Sequence, residues 1–195
     1  MPENSLFTIF LDGVFIENFI LIQFLGLCPF LGVTKETRSA LGMSAAVIFV
    51  MTIASAVTFA VASFLLVPLN LGFLELIAFI VVIASLVQLV EYIIRKHLPP
   101  LYKSLGIYLP LIASNCAVLG LVLLNRIQDF TFVEGIVFGV AAGIGFGIVM
   151  ILMSAVRERS SLVNIPSAVK GVPYAFFAAT MLSMAFVNYF EVIPI

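Results

Sequence analysis

The chain has 195 residues, of which 63% are hydrophobic and only 10% charged, with a formal net charge of −1 and a mean hydropathy of +1.27. A soluble domain carries roughly 25% charged residues, so this chain has too few to cover a water-facing surface. The composition predicts an all-α integral membrane protein and no nucleic-acid partner. Two cysteines are too few for a disulfide scaffold, and no Gly-rich phosphate loop, Ser/His/Asp set or HExxH motif stands out.

A hydrocarbon core of ~30 Å needs about 20 apolar residues per helix, and six segments qualify. They lie at about 11–33, 40–67, 73–94, 105–124, 132–156 and 172–190, with residues 6–10 expected at the interface. Breakers separate them: Pro68 and Asn70, Pro99-Pro100, residues 125–129, and Pro166 with Gly171. No basic residue precedes the first apolar run, so no signal peptide is expected. A single membrane domain over 1–195 leaves nothing for a soluble domain, and water-soluble chemistry must belong to a partner.

Lys and Arg alternate from loop to loop. Lys35 and Arg38 follow the first span, Arg95, Lys96 and Lys103 the third, and Arg157, Arg159 and Lys170 the fifth. The other connections carry only Arg126. By the positive-inside rule both termini face outside. Six spans, three per half, then imply two inverted three-helix repeats, about 6–97 and 101–191, with the special site near the midplane.

The cysteines sit in the two least regular spans. Phe24-Leu25-Gly26-Leu27-Cys28-Pro29-Phe30-Leu31-Gly32 and Ser114-Asn115-Cys116-Ala117-Val118-Leu119-Gly120 share the pattern Cys-x-x-Leu-Gly. Cys28 lies about 9 Å from Thr34 and Cys116 roughly 16 Å from Leu105 at a helical rise, so both are expected to be buried. Pro29 is expected to push Cys28 out of α geometry, and Pro110 to remove a hydrogen bond from span 4. Gly26, Gly32, Gly106 and Gly120 loosen both segments further. Spans 1 and 4 are thus predicted to be broken, a state tolerated at this depth only where protein or a bound group covers the backbone.

A free cysteine in an apolar helix is usually a small hydrophobe. Here both cysteines fall in broken spans at matching positions of opposed halves. If they converge they supply two thiolates, where an iron–sulfur cluster or structural zinc generally takes four ligands. A second chain bringing two more cysteines is then required.

The strings FIENFILIQFLGLCPFLGVTK (15–35), LVQLVEYIIRKHLPPLYKSLGIYLPLIASNCAVLG (86–120) and AVRERSSLVNIP (155–166) closely resemble the RnfA family. RnfA is a membrane subunit of the ion-translocating Rnf electron transport complex, and NqrE of the Na+-translocating NADH:quinone reductase is related. The resemblance covers residues 11–190. It implies a six-span inverted repeat in which Cys28 and Cys116, with two cysteines of the paralogous RnfE subunit, hold a [2Fe-2S] cluster inside the membrane. It also implies partners, the B, C, D and G subunits, carrying flavins and Fe–S clusters, and electron transfer between ferredoxin and NAD coupled to Na+ or H+ movement. The setting would be the multi-pass inner or cell membrane of a bacterium or archaeon. The chain would be a translocase subunit that is not catalytic alone.

Other polar residues have simpler readings. Glu17, Asn18 and Gln23 lie in span 1, where an acid is a functional candidate, although Glu17 follows Asp12 closely enough to sit at the outer interface. Glu91 and Arg95, spaced i,i+4, suit a surface ion pair. His97 suits a solvated basic loop, and the Arg157-Glu158-Arg159 run suits a docking point for a cytoplasmic partner or the positive-inside pattern with no further role. Asn115 beside Cys116 needs a partner and is expected to order the cluster loop. A secondary transporter with an inverted repeat and no redox centre is the alternative function, and a structural scaffold the third.

Overall fold

The computed structural model describes residues 6–16, 18–34, 37–66, 75–97, 115–160 and 171–190, and every regular element among them is helical. Helix α1 (Leu6–Leu11) runs into a π-helical turn at Asp12–Ile16, and α2 is the short Leu27–Val33. Helix α3 (Thr37–Val61) continues into a second π-helical turn at Ala62–Leu66. Then come α4 (Glu75–His97), α5 (Cys116–Ile127), α6 (Phe132–Ser160) and α7 (Val172–Phe190).

Three of these helices, over Thr37–Phe64, Leu76–Ile93 and Phe132–Ser160, are long and apolar enough to cross a membrane. They answer to the expected segments at 40–67, 73–94 and 132–156. Of two shorter apolar helices, Cys116–Ile127 overlaps the segment at 105–124 and runs past its end, and Val172–Phe186 falls in the segment at 172–190. The segment at 11–33 is not one helix: a break separates α1 from α2. Glu17, residues 98–114 with Pro99, Pro100, Lys103, Gly106 and Pro110, and residues 161–170 with Pro166 and Lys170 lie outside the described residues, as does the side chain of His97.

Helix α6 is the axis of the molecule. Of its most apolar window 61% is buried inside the protein, against 22% for α4, although the two are comparably apolar. The cause is its small residues. Gly135, Gly139, Gly143 and Gly147 recur every fourth position and so line one face. That face lies against α3: a Cβ at Gly143 would stand 2.9 Å from the Cα of Ile48, and one at Gly147 3.2 Å from the Cβ of Ser44. Close approach of small-residue faces is how helices gain packing in lipid, where no hydrophobic effect drives them together. The pairing of Ser44 with Gly147 and of Ser55 with Gly139 makes α3 and α6 antiparallel.

The other side of α6 receives the first segment. A Cβ at Gly145 would meet the carbonyl oxygen of Val14 at 2.7 Å, and one at Gly13 the Cβ of Ala141 at 2.8 Å. Phe19 stands edge-on to Phe138 with centroids 6.4 Å apart. Helices α4 and α7, by contrast, keep rows of large apolar side chains exposed, among them Ile77, Ile80, Val81, Phe177 and Met184. Such rows suit lipid or a neighbouring subunit.

Candidate functional site: two broken segments joined at Cys116

The first segment leaves helical geometry at Asn18, which is 3% exposed. Its Oδ1 accepts from the N–H groups of Ile20 (3.2 Å) and Leu21 (3.4 Å), and its Nδ2 donates to the Val14 carbonyl at 3.4 Å. One side chain thus satisfies backbone groups that the lost helix would have paired, as burial in a membrane demands. The Leu25 N–H reaches back to the Phe19 carbonyl at 2.8 Å, and the Ser183 hydroxyl of α7 donates to the Leu21 carbonyl. The chain then turns through two left-handed residues, Phe24 (φ 54°) and Gly26 (φ 80°), and α2 begins.

This placement corrects the expectation that Pro29 breaks the helix at Cys28. Both residues lie inside α2, in its first turn. A proline there costs little, because the N–H it lacks would be unpaired in any case. The break lies upstream, at residues 18–26. Within this chain Cys28 is exposed on the surface and Cys116 half-buried. Ile22 and Phe24 are exposed in the same segment.

The second segment starts a helix at its cysteine. Asn115 has extended backbone (φ −73°, ψ 112°) and caps α5, its Oδ1 accepting from Ala117 N at 3.1 Å. Cys116 is therefore in the first turn of α5, as Cys28 is in the first turn of α2. Asparagine is among the best N-cap residues, so the helix start is set locally.

The two segments touch through sulfur. The Gly26 N–H donates to Cys116 Sγ at 2.9 Å, across a separation of 90 residues. Glycine is required there twice over. Its φ of 80° is in the left-handed region, and a Cβ would fall 2.6 Å from Phe146 Cε2 and 3.2 Å from both Ala117 Cβ and Asn115 Oδ1. Gly120 serves the same approach one turn along, where Leu25 Cδ1 occupies the place of a Cβ. Asn115 itself is 4% exposed, and its Nδ2 is buried with no partner. An amide donor beside the cysteine is thus left with a hydrogen bond to give.

The far end of α2 is held by Arg157, which the sequence places only in a cytoplasmic docking or positive-inside run. Arg157 Nη1 donates to the Leu31 carbonyl (2.9 Å) and to Thr34 Oγ1 (2.8 Å), while the Thr34 hydroxyl donates to the Phe30 carbonyl at 2.6 Å. A cation at a helix C-terminus also opposes the helix dipole. Glu158 Oε2 accepts from the Thr37 hydroxyl at 2.6 Å. Nothing local in Arg157-Glu158-Arg159 signals this, because its partners lie more than 120 residues away. Glu91 is half-buried and Arg95 exposed along α4.

Among the described residues no three His, Cys, Asp or Glu side chains gather as a metal ion would need. The chain brings two sulfur-bearing segments together and offers one sulfur outward. Fold and site together define a multi-helix membrane protein in which an irregular first segment meets the start of a second cysteine-bearing helix.

Comparison with known proteins gives the family. Residues 6–193 match the Rnf-Nqr family, described as "Rnf-Nqr subunit, membrane protein", and the chain belongs to it. It is 65% identical over 193 residues to the A-type subunit of the "Ion-translocating oxidoreductase complex" of Methanosarcina acetivorans, covering 98% of this chain and 97% of that one. It is 48% identical over 185 residues to the A-type subunit of the "Na(+)-translocating ferredoxin:NAD(+) oxidoreductase complex" of Acetobacterium woodii, covering 95% and 96%. The corresponding protein of Azoarcus sp., also named for an ion-translocating oxidoreductase complex, is 48% identical over 179 residues, covering 92% and 93%.

Proposed function

We propose that the chain is the A-type membrane subunit of an Rnf-type translocase. In this reading the complex couples electron transfer between ferredoxin and NAD to movement of Na+ or H+. Cys28 and Cys116 furnish half of a [2Fe-2S] site, and an RnfE-like paralogue supplies two further cysteines. The B, C, D and G subunits carry the flavins and remaining clusters, and both termini of this chain face outside.

The observation that carries the reading is the Gly26 N–H···Cys116 Sγ hydrogen bond. It brings to one place the two segments that hold the only cysteines in the sequence. The residues there suit a thiolate-held cluster: a backbone donor on one sulfur, an unpaired amide donor beside it, and a glycine whose missing Cβ keeps the segments in contact. With two cysteines in the chain and one of them exposed, completion by a second subunit is the natural arrangement. The antiparallel pairing of α3 with α6, equivalent members of the two halves, supports a six-span inverted repeat.

When bound, such a cluster takes up and releases one electron. This chain's own residues prepare the place. Asn115 fixes the start of α5 and so the position of Cys116. Arg157 and Thr34 hold the C-terminal end of the helix that bears Cys28. Phe146 closes the space behind Gly26 against water.

The test is metal and acid-labile sulfide content of the complex, purified with its paralogue. Cys28→Ser and Cys116→Ser are each expected to lose the cluster and its EPR signal. Full iron content and electron transfer in Cys28→Ser would sink the reading, and the same tolerance in Cys116→Ser would favour a purely structural subunit. Asn115→Ser gives a finer probe, since serine still caps a helix but lacks the Nδ2 donor. It is expected to retain the iron and lower the cluster's midpoint potential, because donors near ligand sulfur are one lever on potential. An unchanged potential would exclude Asn115 from that role.

A further inference from the structure

A cavity of about 80 Å³ opens at the end of the α3–α6 pair remote from Arg157, between α3, α4, α5 and the turn joining α5 to α6. Its floor and its mouth differ. Ser55 and Thr58 are buried, whereas Ser63, Arg126 and Asp129 are exposed at the rim. The apolar stretch that contains α3 ends at Phe64, and that of α6 begins at Phe132. Ser63 stands just before that end, and Arg126 and Asp129 just before that start. The mouth therefore lies where the hydrocarbon core gives way to lipid headgroups.

On the floor the donors are spent on the wall. The Ser55 hydroxyl donates to the Gly135 carbonyl at 2.6 Å, and the Thr58 hydroxyl to the Ala54 carbonyl at 2.5 Å. Asn125 Nδ2 donates to Ser55 Oγ at 2.8 Å, which leaves Asn125 Oδ1 buried and without a partner. A buried acceptor of this kind calls for an N–H or O–H from whatever fills the cavity. The rim is mixed: one guanidinium, one carboxylate and one hydroxyl, with no net charge. The occupant that matches both levels is neutral overall, with a donor at its buried end and charges of both signs.

We propose that this cavity seats the headgroup of a zwitterionic phospholipid that bears a primary ammonium group. The ammonium donates to Asn125 Oδ1 and faces the Asp129 carboxylate, while the phosphate meets the Arg126 guanidinium. A quaternary ammonium has no N–H to give Asn125, and a headgroup of net negative charge leaves Asp129 without a counter-charge. Size agrees. The cavity offers roughly the space of two or three waters at ~30 Å³ each, enough for an aminoethyl group but not for its trimethylated form. Glycerol and acyl chains stay outside, against exposed apolar side chains such as Phe64 and Ile77. The inference does not rest on the cysteine-bearing segments.

Native mass spectrometry of the full-length chain, titrated in detergent with lipids of identical acyl chains, tests it. Phosphatidylethanolamine is expected to give one saturable adduct per chain. Phosphatidylcholine and phosphatidylglycerol are expected to bind more weakly by about tenfold or more, roughly one hydrogen-bonding group's contribution. Asn125→Ala and Asp129→Asn are each expected to bring phosphatidylethanolamine down to the level of phosphatidylcholine. Arg126→Gln is expected to weaken both of these lipids alike, because both carry the phosphate. A general loss of structure would not separate the lipids in this way. Asp129 has left-handed backbone (φ 49°), which asparagine also adopts, so Asp129→Asn decides the matter alone if Asn125→Ala does not fold. Cys28→Ser is expected to bind like wild type, so that failure of the cysteine reading and failure of this one are told apart. Absence of a saturable adduct, equal or tighter binding of either other lipid, or an unchanged preference in the folded variants overturns the proposal and leaves the cavity to water.

Discussion

Gly26→Ala is expected to be the most damaging single-methyl change in the chain. A Cβ in the left-handed region costs roughly 1–2 kcal/mol, and forcing a methyl into filled space typically costs a further 1–3 kcal/mol. Here the methyl would lie 2.6 Å from an aromatic carbon of Phe146. The expected outcome is a loss of about 2–5 kcal/mol, seen as a lower unfolding temperature in detergent. Iron loading should fall as well, because the Gly26 N–H to Cys116 bond cannot survive a shifted backbone. Phe146→Leu in the same chain should restore part of the stability by removing the contact but not the backbone strain. Such non-additivity is the mark of a shared steric cause. A Gly26→Ala variant as stable and as iron-rich as wild type would mean that the two segments do not meet as described.

The second large effect is expected on the glycine face of α6, and its ordering is counter to bare distance. At Gly120 the nearest atom to a new Cβ is Leu25 Cδ1, at 2.6 Å; at Gly143 it is Ile48 Cα, at 2.9 Å. The former is the free end of a flexible side chain and can rotate away. The latter is backbone, and it moves only if the whole of α3 moves. Both substitutions gain the same helix propensity, about 1 kcal/mol for Gly to Ala, so that term cancels in the comparison. Gly143→Ala should therefore lower the unfolding temperature more than Gly120→Ala, and Gly143→Leu should abolish folding. Thermal unfolding of the three variants decides it. The reverse order would show that α3 and α6 are not in backbone contact.

These two glycines also show how much could be read in advance. Membrane integration and the positions of the long helices follow from local properties, namely a run of apolar residues bounded by breakers. The expected segment at 172–190 matches α7 to the residue, and the start of α6 at Phe132 was equally legible. Asn115 declared itself as a polar amide next to a cysteine, and its capping role is local too. The glycines of α6 were present in the sequence at a regular spacing of four, but which helix they face is not written there.

The location of the break is not legible in the sequence. Proline restricts its own neighbourhood, so Pro29 drew the eye to Cys28, yet at the start of a helix its missing N–H has no consequence. Phe24 and Gly26 hold the actual turn because Phe146, Ala117 and Asn115, all distant in sequence, leave no other path. The positive-inside pattern accounts for Arg157 without any contact in the fold; its partners on α2 exist only once α6 is threaded antiparallel to α3.

The sequence by itself thus determined the class of protein, the long helices and the identity of the two cysteines, because hydropathy, caps and residue type act over a few neighbouring positions. The tertiary structure alone decided that Cys116 meets Gly26, that Cys28 faces outward, that Arg157 anchors α2, and that Asn125 pairs with Ser55. Each of these depends on contacts between residues 70 or more positions apart, fixed by how closely glycine-bearing helices can approach.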